Sequence, residues 1–301
     1  MPYFRRYWTL YLLLALPIAF FVIFRYVPMT YIQIAFKQNN IVKNIWDVPW
    51  AKNSGFEWFI KAFNNRDFWY ALQNTLTLNG LDLLVGFPAP ILLALLLNEL
   101  TFKRFKRVTQ TIAYMPHFLS WIIIAGLAKQ LFVPTSGLVN IVITKYLGGQ
   151  PIPFLDDPNH WVWTYVLMGV WQSVGWNTII YLAALTNINQ ELYEAASVDG
   201  AARFRKMWHI TLPGLRPTII TLFIMNLGRI LGSEFDRPFA MRNKLVTSKS
   251  DVISIFVYLN GIKSSQFSLS AAVGLFQSVI CVLFLLSANA LAKRFGERGI
   301  W

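Results

Sequence analysis

Long apolar runs alternate with short polar segments along the chain. Six runs could cross a bilayer, near residues 8–31, 70–97, 109–132, 161–186, 214–240 and 267–292. A hydrocarbon core of about 30 Å takes about 20 helical residues to span. Pro17, Pro88, Pro90 and Gly228 fall inside these runs. Membrane helices tolerate such residues because neighbouring groups re-satisfy the backbone. The first run starts basic, like a signal peptide, but no small-x-small cleavage pattern follows it. Arg25, Tyr26 and Pro28 close it, so it is expected to stay as a first helix, with Arg25 snorkelling to the interface. The pattern predicts an all-α membrane protein with six transmembrane helices, a single transmembrane domain over residues 1–301.

The polar segments differ in character. Residues 32–69 are rich in aromatics and Asn, which suits short interfacial helices. "LGGQPIPFLDDPNH" reads as a loop from its Pro and Gly content. Between the fourth and fifth runs stands "NQELYEAASVDGAARFRKMW". Glu191, Glu194, Ala195 and Ala196 favour a helix with its acids early, where the helix dipole favours them. Gly200 permits a turn and the close approach of another surface. A second helix is expected from Ala201, with Phe204 and Trp208 on one face and Arg203, Arg205 and Lys206 pointing elsewhere. Pro213 is expected to stop that piece and start the next span. A rigid, exposed helix pair of this kind could dock by its Ala/Gly face in a groove of a cytosolic partner. The alternative is an amphipathic connector lying on the membrane.

Composition supports the membrane reading. Hydrophobic residues make up 55% and charged residues 14%, where soluble domains carry roughly a quarter charged. The net charge of +13 is spread in short clusters between apolar runs, which speaks against nucleic acid. Basic residues are densest in "RRY", "LTFKRFKRV", the 187–213 segment and "KRFGERGIW". The positive-inside rule then puts both termini, and the 187–213 segment, in the cytoplasm. Cys281 is the lone cysteine and the 3 His are far apart, so neither an intrachain disulfide nor a metal site is expected. No G-x-x-x-x-G-K-[ST] loop, nucleophile elbow or H-E-x-x-H motif occurs. Neither an ATP site of its own nor an intramembrane enzyme is indicated.

Glu194, Ala195 and Ala196, then Asp199, Gly200 and Ala201, then Ile210, Leu212 and Pro213 resemble the EAA loop of ATP-binding-cassette importer permeases. "FRYVPMTYIQIAFKQ" and "NTLTLNGLDLLVGFPAPILLALLLNEL" are similar to carbohydrate-uptake permeases of the polysaccharide subgroup, within the maltose-transporter type. The resemblance implies the type I importer permease fold in a bacterial cell membrane. It implies that those nine residues form a coupling helix seated in a cleft of the ATPase. Implied partners are a second, homologous permease, a dimeric cytoplasmic ATPase and an extracellular solute-binding protein, with an oligosaccharide as substrate. No cofactor is implied for this chain; ATP and Mg belong to the partner subunits.

Polar side chains inside spans are costly and mark candidate pathways. The fourth run offers Gln172, Ser173, Trp176 and Asn177. An indole face suits pyranose C–H groups, and amides suit hydroxyls. Helix packing and an interfacial aromatic belt are the competing reading. The fifth run offers Asn226, Arg229 and Ser233 on one stripe. Arg229 needs an acid, a carbonyl, water or the solute. Asp82, Glu234 and Asp236 are the candidate acids, with a pair across helices favoured over solute contact. Asp82 itself reads first as an interhelical partner. The same architecture carrying another solute, or an ATP-independent carrier, are the rival functions. Orientation is directly testable: with Cys281 replaced, a cysteine at Lys206 should react only from the cytoplasm and one at Asn159 only from outside. The reverse pattern would sink the assigned topology.

Overall fold

In a computed structural model the chain is described over residues 2–232 and 234–294, with Gly296 and Gly299. Among these residues the fold is helical, with one isolated bridge between Lys37 and Trp50. The chain divides into two compact units, Met1–Phe68 with Phe256–Ser278, and Trp69–Ile255 with Val279–Trp301.

In the first unit α1, Pro2–Phe21, continues through a π turn at Val22–Tyr26 to a 3-10 turn at Thr30–Phe36. Its leucines, with Phe20 and Phe21, are exposed, which suits a helix solvated by lipid. The following loop is organised by Lys37, which is buried and donates to the carbonyls of Ile45 (2.5 Å) and Trp46 (3.4 Å). Trp58, on α2 (Glu57–Phe63), donates to the Lys37 carbonyl at 2.8 Å. Phe276 packs edge to face on Phe63 at 5.3 Å and on Phe68 at 5.7 Å, and Phe63 and Phe68 lie tilted at 5.7 Å.

The second unit begins within α3 (Arg66–Leu81), which passes through a π turn at Asp82–Gly86 into α4 (Pro88–Asn98). Next come α5 (Lys103–Tyr114), α6 (Trp121–Phe132) and α7 (Leu138–Lys145). The 28-residue α8, Pro158–Leu185, follows. Asp157 caps it, accepting from the N–H groups of Asn159 and His160. The His160 N–H, foremost, holds that carboxyl below its ordinary range. Helix α8 is buried at Trp161, Tyr165, Gly169, Gly175 and Tyr181, so it is packed on several sides, as expected for a helix apolar all round. A Cβ on Gly175 would collide with the Ala113 carbonyl; the missing side chain lets α5 lie directly against α8. After α8 come α9 (Gln190–Val198), α10 (Leu212–Leu227) and α11 (Asp236–Met241). The last helices are α12 (Ile253–Val257) and α13 (Phe267–Arg294).

The spans depart from the predicted boundaries for physical reasons. Among the described residues, four helical stretches are long and apolar enough to cross a membrane: Arg6–Phe36, Arg66–Asn98, Arg203–Leu227 and Phe267–Arg294. A fifth exists if Lys103–Phe118 and Trp121–Phe132, bent by 104°, count as one. The predicted 109–132 helix is broken because Pro116 sits in a 3-10 turn and Ser120 starts a new helix as its N-cap. The predicted 214–240 helix begins earlier and stops at Leu227. Residues 228–232 leave the helix around Gly228 and Gly232, and α11 follows. Pro213 does not end the preceding piece. A π turn at Met207–Thr211 carries the helix through it, with Leu212 N–H bonding to Met207 O. Helix α8 is long enough to span, but its Trp, Tyr, Gln and Asn content leaves it outside the strongly apolar set. Gly175→Val should separate α5 from α8 and sharply lower the yield of folded protein; wild-type yield and melting temperature would disprove this packing.

Candidate functional site: a charged cavity and an exposed helical loop

The second unit encloses a cavity of about 460 Å³. The α3–α4 segment contributes Asn79, Asp82, Gly86 and Pro90 to its wall, and α8 contributes Gly169, Ser173, Asn177 and Tyr181. Helix α10 and the turn after it add Leu222, Met225, Asn226 and Arg229. Four of the residues singled out from sequence therefore come together: Ser173, Asn177, Asn226 and Arg229. Ser173 donates to the Gly169 carbonyl at 2.8 Å, and Asn226 to the Leu222 carbonyl at 2.8 Å. Such back-bonding is how hydroxyls and amides are tolerated inside a helix. Ser233 lies outside the described residues.

Gln172 and Trp176 stand elsewhere. Gln172 Nε2 donates to the His117 carbonyl at 3.3 Å. The Trp176 ring stacks on His117 at 4.6 Å with a 6° interplanar angle, and meets Phe118 edge-on at 5.9 Å. They brace the bend between α5 and α6. Residues 172/176 and 173/177 occupy neighbouring stripes about 100° apart on one helix. Periodicity alone does not say which stripe meets the cavity.

The expected acid partner of Arg229 is taken by another residue. Arg237, 4% exposed, donates to Asp82 Oδ2 at 2.7 Å and Oδ1 at 3.2 Å. It also donates to the Tyr165 carbonyl at 2.7 Å and lies 3.8 Å from Glu234. Its guanidinium stacks over the Tyr165 ring at 3.7 Å and reaches toward Trp121 at 5.3 Å. A Cβ on Gly169 would run into the guanidinium, so that glycine makes its seat. Asp82 does meet the interhelical partner expected of it, across 155 residues. The Arg229 side chain forms no ion pair or hydrogen bond among the described residues and is exposed on the cavity wall. The fork of Arg237 meets both Asp82 oxygens, a bidentate geometry suited to a carboxylate. The sequence signal for Arg237 was a third basic residue in the same run, at the start of "RPF" beside Pro238.

The 187–213 segment forms a stiff projection. Helix α9 carries Glu194, Ala195 and Ala196, and Asn189 caps it by accepting from Glu191 N–H. Gly200 is left-handed, with φ of 71°. The N–H of Ala201 bonds to Ala196 O at 2.8 Å, closing the α9 C-terminus around that glycine. Asp199 and Ala201 flank it. The helical lead-in Arg203–Lys206 runs through Ile210, Leu212 and Pro213 into α10, so the second helix of the predicted pair is the root of a span. Tyr193 Oη donates to Thr211 Oγ1 at 3.0 Å, and Lys206 Nζ to Ser197 Oγ at 2.6 Å. Leu95, Leu185 and Leu215 form a buried cluster beneath, packed by Ile188 and Met207. Val198, Phe204 and Trp208 remain exposed.

Apolar spans around a charged cavity, with a rigid loop joining two of the cavity's helices, define a membrane transport subunit. The chain belongs to the family described as "Binding-protein-dependent transport system inner membrane component", which matches residues 86–297. It is 44% identical over 97% of its length to Protein LplB of Bacillus subtilis, covering 91% of that protein. It is 41% identical over 97% to the polygalacturonan/rhamnogalacturonan transport system permease protein YteP of the same organism, covering 90% of it. Among solved structures, it is similar to a chain of a bacterial ABC transporter involved in the import of the acidic polysaccharide alginate. The identity is 38%, the coverage 97% of both chains and the TM-score 0.86. The chain is thus a multi-pass permease subunit of the bacterial inner membrane, in a transporter whose ATP is hydrolysed by partner subunits.

Proposed function

We propose that this permease forms one half of an import pathway for an acidic oligosaccharide and is driven through residues 187–213 by a cytoplasmic ATPase. The observation that carries the acidic assignment is Arg229, a cation on the cavity wall with no ion pair among the described residues. A guanidinium presents a fork of donors matched to carboxylates, and an unmatched charge within a membrane protein is costly enough to imply a ligand. The names of the two similar transport systems, for polygalacturonan/rhamnogalacturonan and for alginate, support the same substrate class. Asn177, whose side chain makes no hydrogen bond among the described residues, adds an amide for hydroxyls.

In this reading the permease has six spans, with α8 and the bent α5–α6 pair both counted, and both termini are cytoplasmic. Glu194, Ala195, Ala196, Asp199, Gly200 and Ala201 enter a cleft of the ATPase, and Ile210, Leu212 and Pro213 pass its motion into α10. ATP and Mg bind the dimeric ATPase, and this chain holds no cofactor. A homologous permease supplies the other half of the pathway, and an extracellular binding protein delivers the sugar.

Two measurements test this. Arg229→Gln in the assembled complex should lower uptake of trigalacturonate by about tenfold or more, the worth of a hydrogen bond to a charged group, and spare its methyl ester. Equal uptake of acid and ester by the wild type would remove the acidic assignment. Gly200→Leu forces a side chain onto a left-handed residue. It should abolish sugar-stimulated ATP hydrolysis without preventing membrane insertion. Full stimulation would mean that this loop is not the coupling element, and uptake without ATP would point to a carrier instead.

A further inference from the structure

Asp82 is held in an unusual way for a residue that serves only as a counter-ion. Its partner Arg237 is 4% exposed, whereas the Asp82 side chain keeps 27% exposure and lies on the cavity wall. One side of the pair is sealed and the other is presented. Arg237 takes one lone pair from each carboxylate oxygen, at 2.7 and 3.2 Å. An ionised carboxylate offers about four such sites, so acceptor capacity remains on the presented side. The oxygens are also locked in orientation. The guanidinium that fixes them is itself clamped by the Tyr165 carbonyl at 2.7 Å and by the Tyr165 ring at 3.7 Å. It lies directly against α8, in the space left by the missing Cβ of Gly169.

A preoriented carboxylate with free acceptor sites, paired to a guanidinium fork, suits one ligand chemistry in a sugar pathway. Two adjacent hydroxyls of a pyranose ring donate to such a group together. Neutral acceptors bind each hydroxyl less strongly, because hydrogen bonds to an ionised partner are roughly twice as strong. Asp82 therefore reads hydroxyls where Arg229, on the same cavity wall, reads acid.

We propose that Asp82, oriented by Arg237, is a hydroxyl-binding subsite for the vicinal diol of a pyranose in the cavity of this permease. This rests on the cavity being the solute pathway. Arg237 is a positioning residue in it and does not touch the sugar.

The test is direct binding of trigalacturonate, and of trigalacturonate with its ring hydroxyls methylated, to the purified transporter complex without its solute-binding protein. The wild type is expected to bind the free-hydroxyl probe about tenfold or more tightly. Asp82→Asn keeps the side-chain shape and is expected to reduce that preference several-fold. If Asp82→Asn does not assemble, the pair Asp82→Asn with Arg237→Gln removes both charges together; the same loss of preference is expected. Wild-type indifference to methylation, or an unchanged preference in the variant, overturns the subsite. The acidic assignment is judged separately, by the methyl ester of the same probe. A complex that distinguishes acid from ester but not hydroxyl from methoxyl retains Arg229's role and loses that of Asp82.

Discussion

A guanidinium cannot shed its proton, so a buried arginine obliges its surroundings to supply negative charge and acceptors. Arg237 imposes this on the second unit. Asp82 answers from the α3–α4 segment, the Tyr165 carbonyl from α8, and the rings of Tyr165 and Trp121 cover the planar faces. Breaking such a pair by removing one partner typically costs about 3–5 kcal/mol, more than the packing of one ordinary apolar side chain. The register between α8 and the α3–α4 segment, and with it the cavity wall, follows from satisfying one cation. Gly169 is part of the same constraint, since any side chain there would occupy the guanidinium's place.

Prolines shape the spans in a consistent way. π turns close at Val27, Phe87 and Leu212, and each of these residues is followed at once by a proline, Pro28, Pro88 or Pro213. Proline cannot donate to the carbonyl one turn back, and its ring crowds that carbonyl. A widened turn moves the carbonyl aside and lets the helix continue, which a bilayer demands because unpaired backbone groups find no water there. Where the chain bends instead, at Pro116, side chains replace the lost order: Ser120 caps the new helix and Gln172 holds the His117 carbonyl.

The 187–213 loop joins the end of α8 to the start of α10, two helices that both line the cavity. Its internal bonds, from Tyr193 to Thr211 and from Lys206 to Ser197, tie α9 to the root of α10. The cluster of Leu95, Leu185 and Leu215 ties that root to α8 and α4. A displacement of α9 has little slack to absorb it before it reaches the cavity walls. This is the mechanical requirement of a lever.

The sequence by itself determined the membrane class, the helical content and the existence of a turned helix at Glu194–Gly200. Those follow from local rules: apolar length against bilayer thickness, helix propensity, and the tolerance of glycine for positive φ. It also brought forward Ser173, Asn177, Asn226 and Arg229, because polar residues in apolar runs stand out whatever they touch. It marked Asp82 as an interhelical partner but offered it as one of three acids for Arg229, left Arg237 unnoticed, and gave Gln172 and Trp176 the same standing as their neighbours. Only the tertiary structure decided these. Which of two arginines reaches an acid 155 residues away, and which of two adjacent stripes on α8 meets the cavity, depend on helix rotation and crossing. Both are fixed by packing between elements, where Gly169 and Gly175 admit a guanidinium and a backbone, and no periodicity within a single helix encodes them.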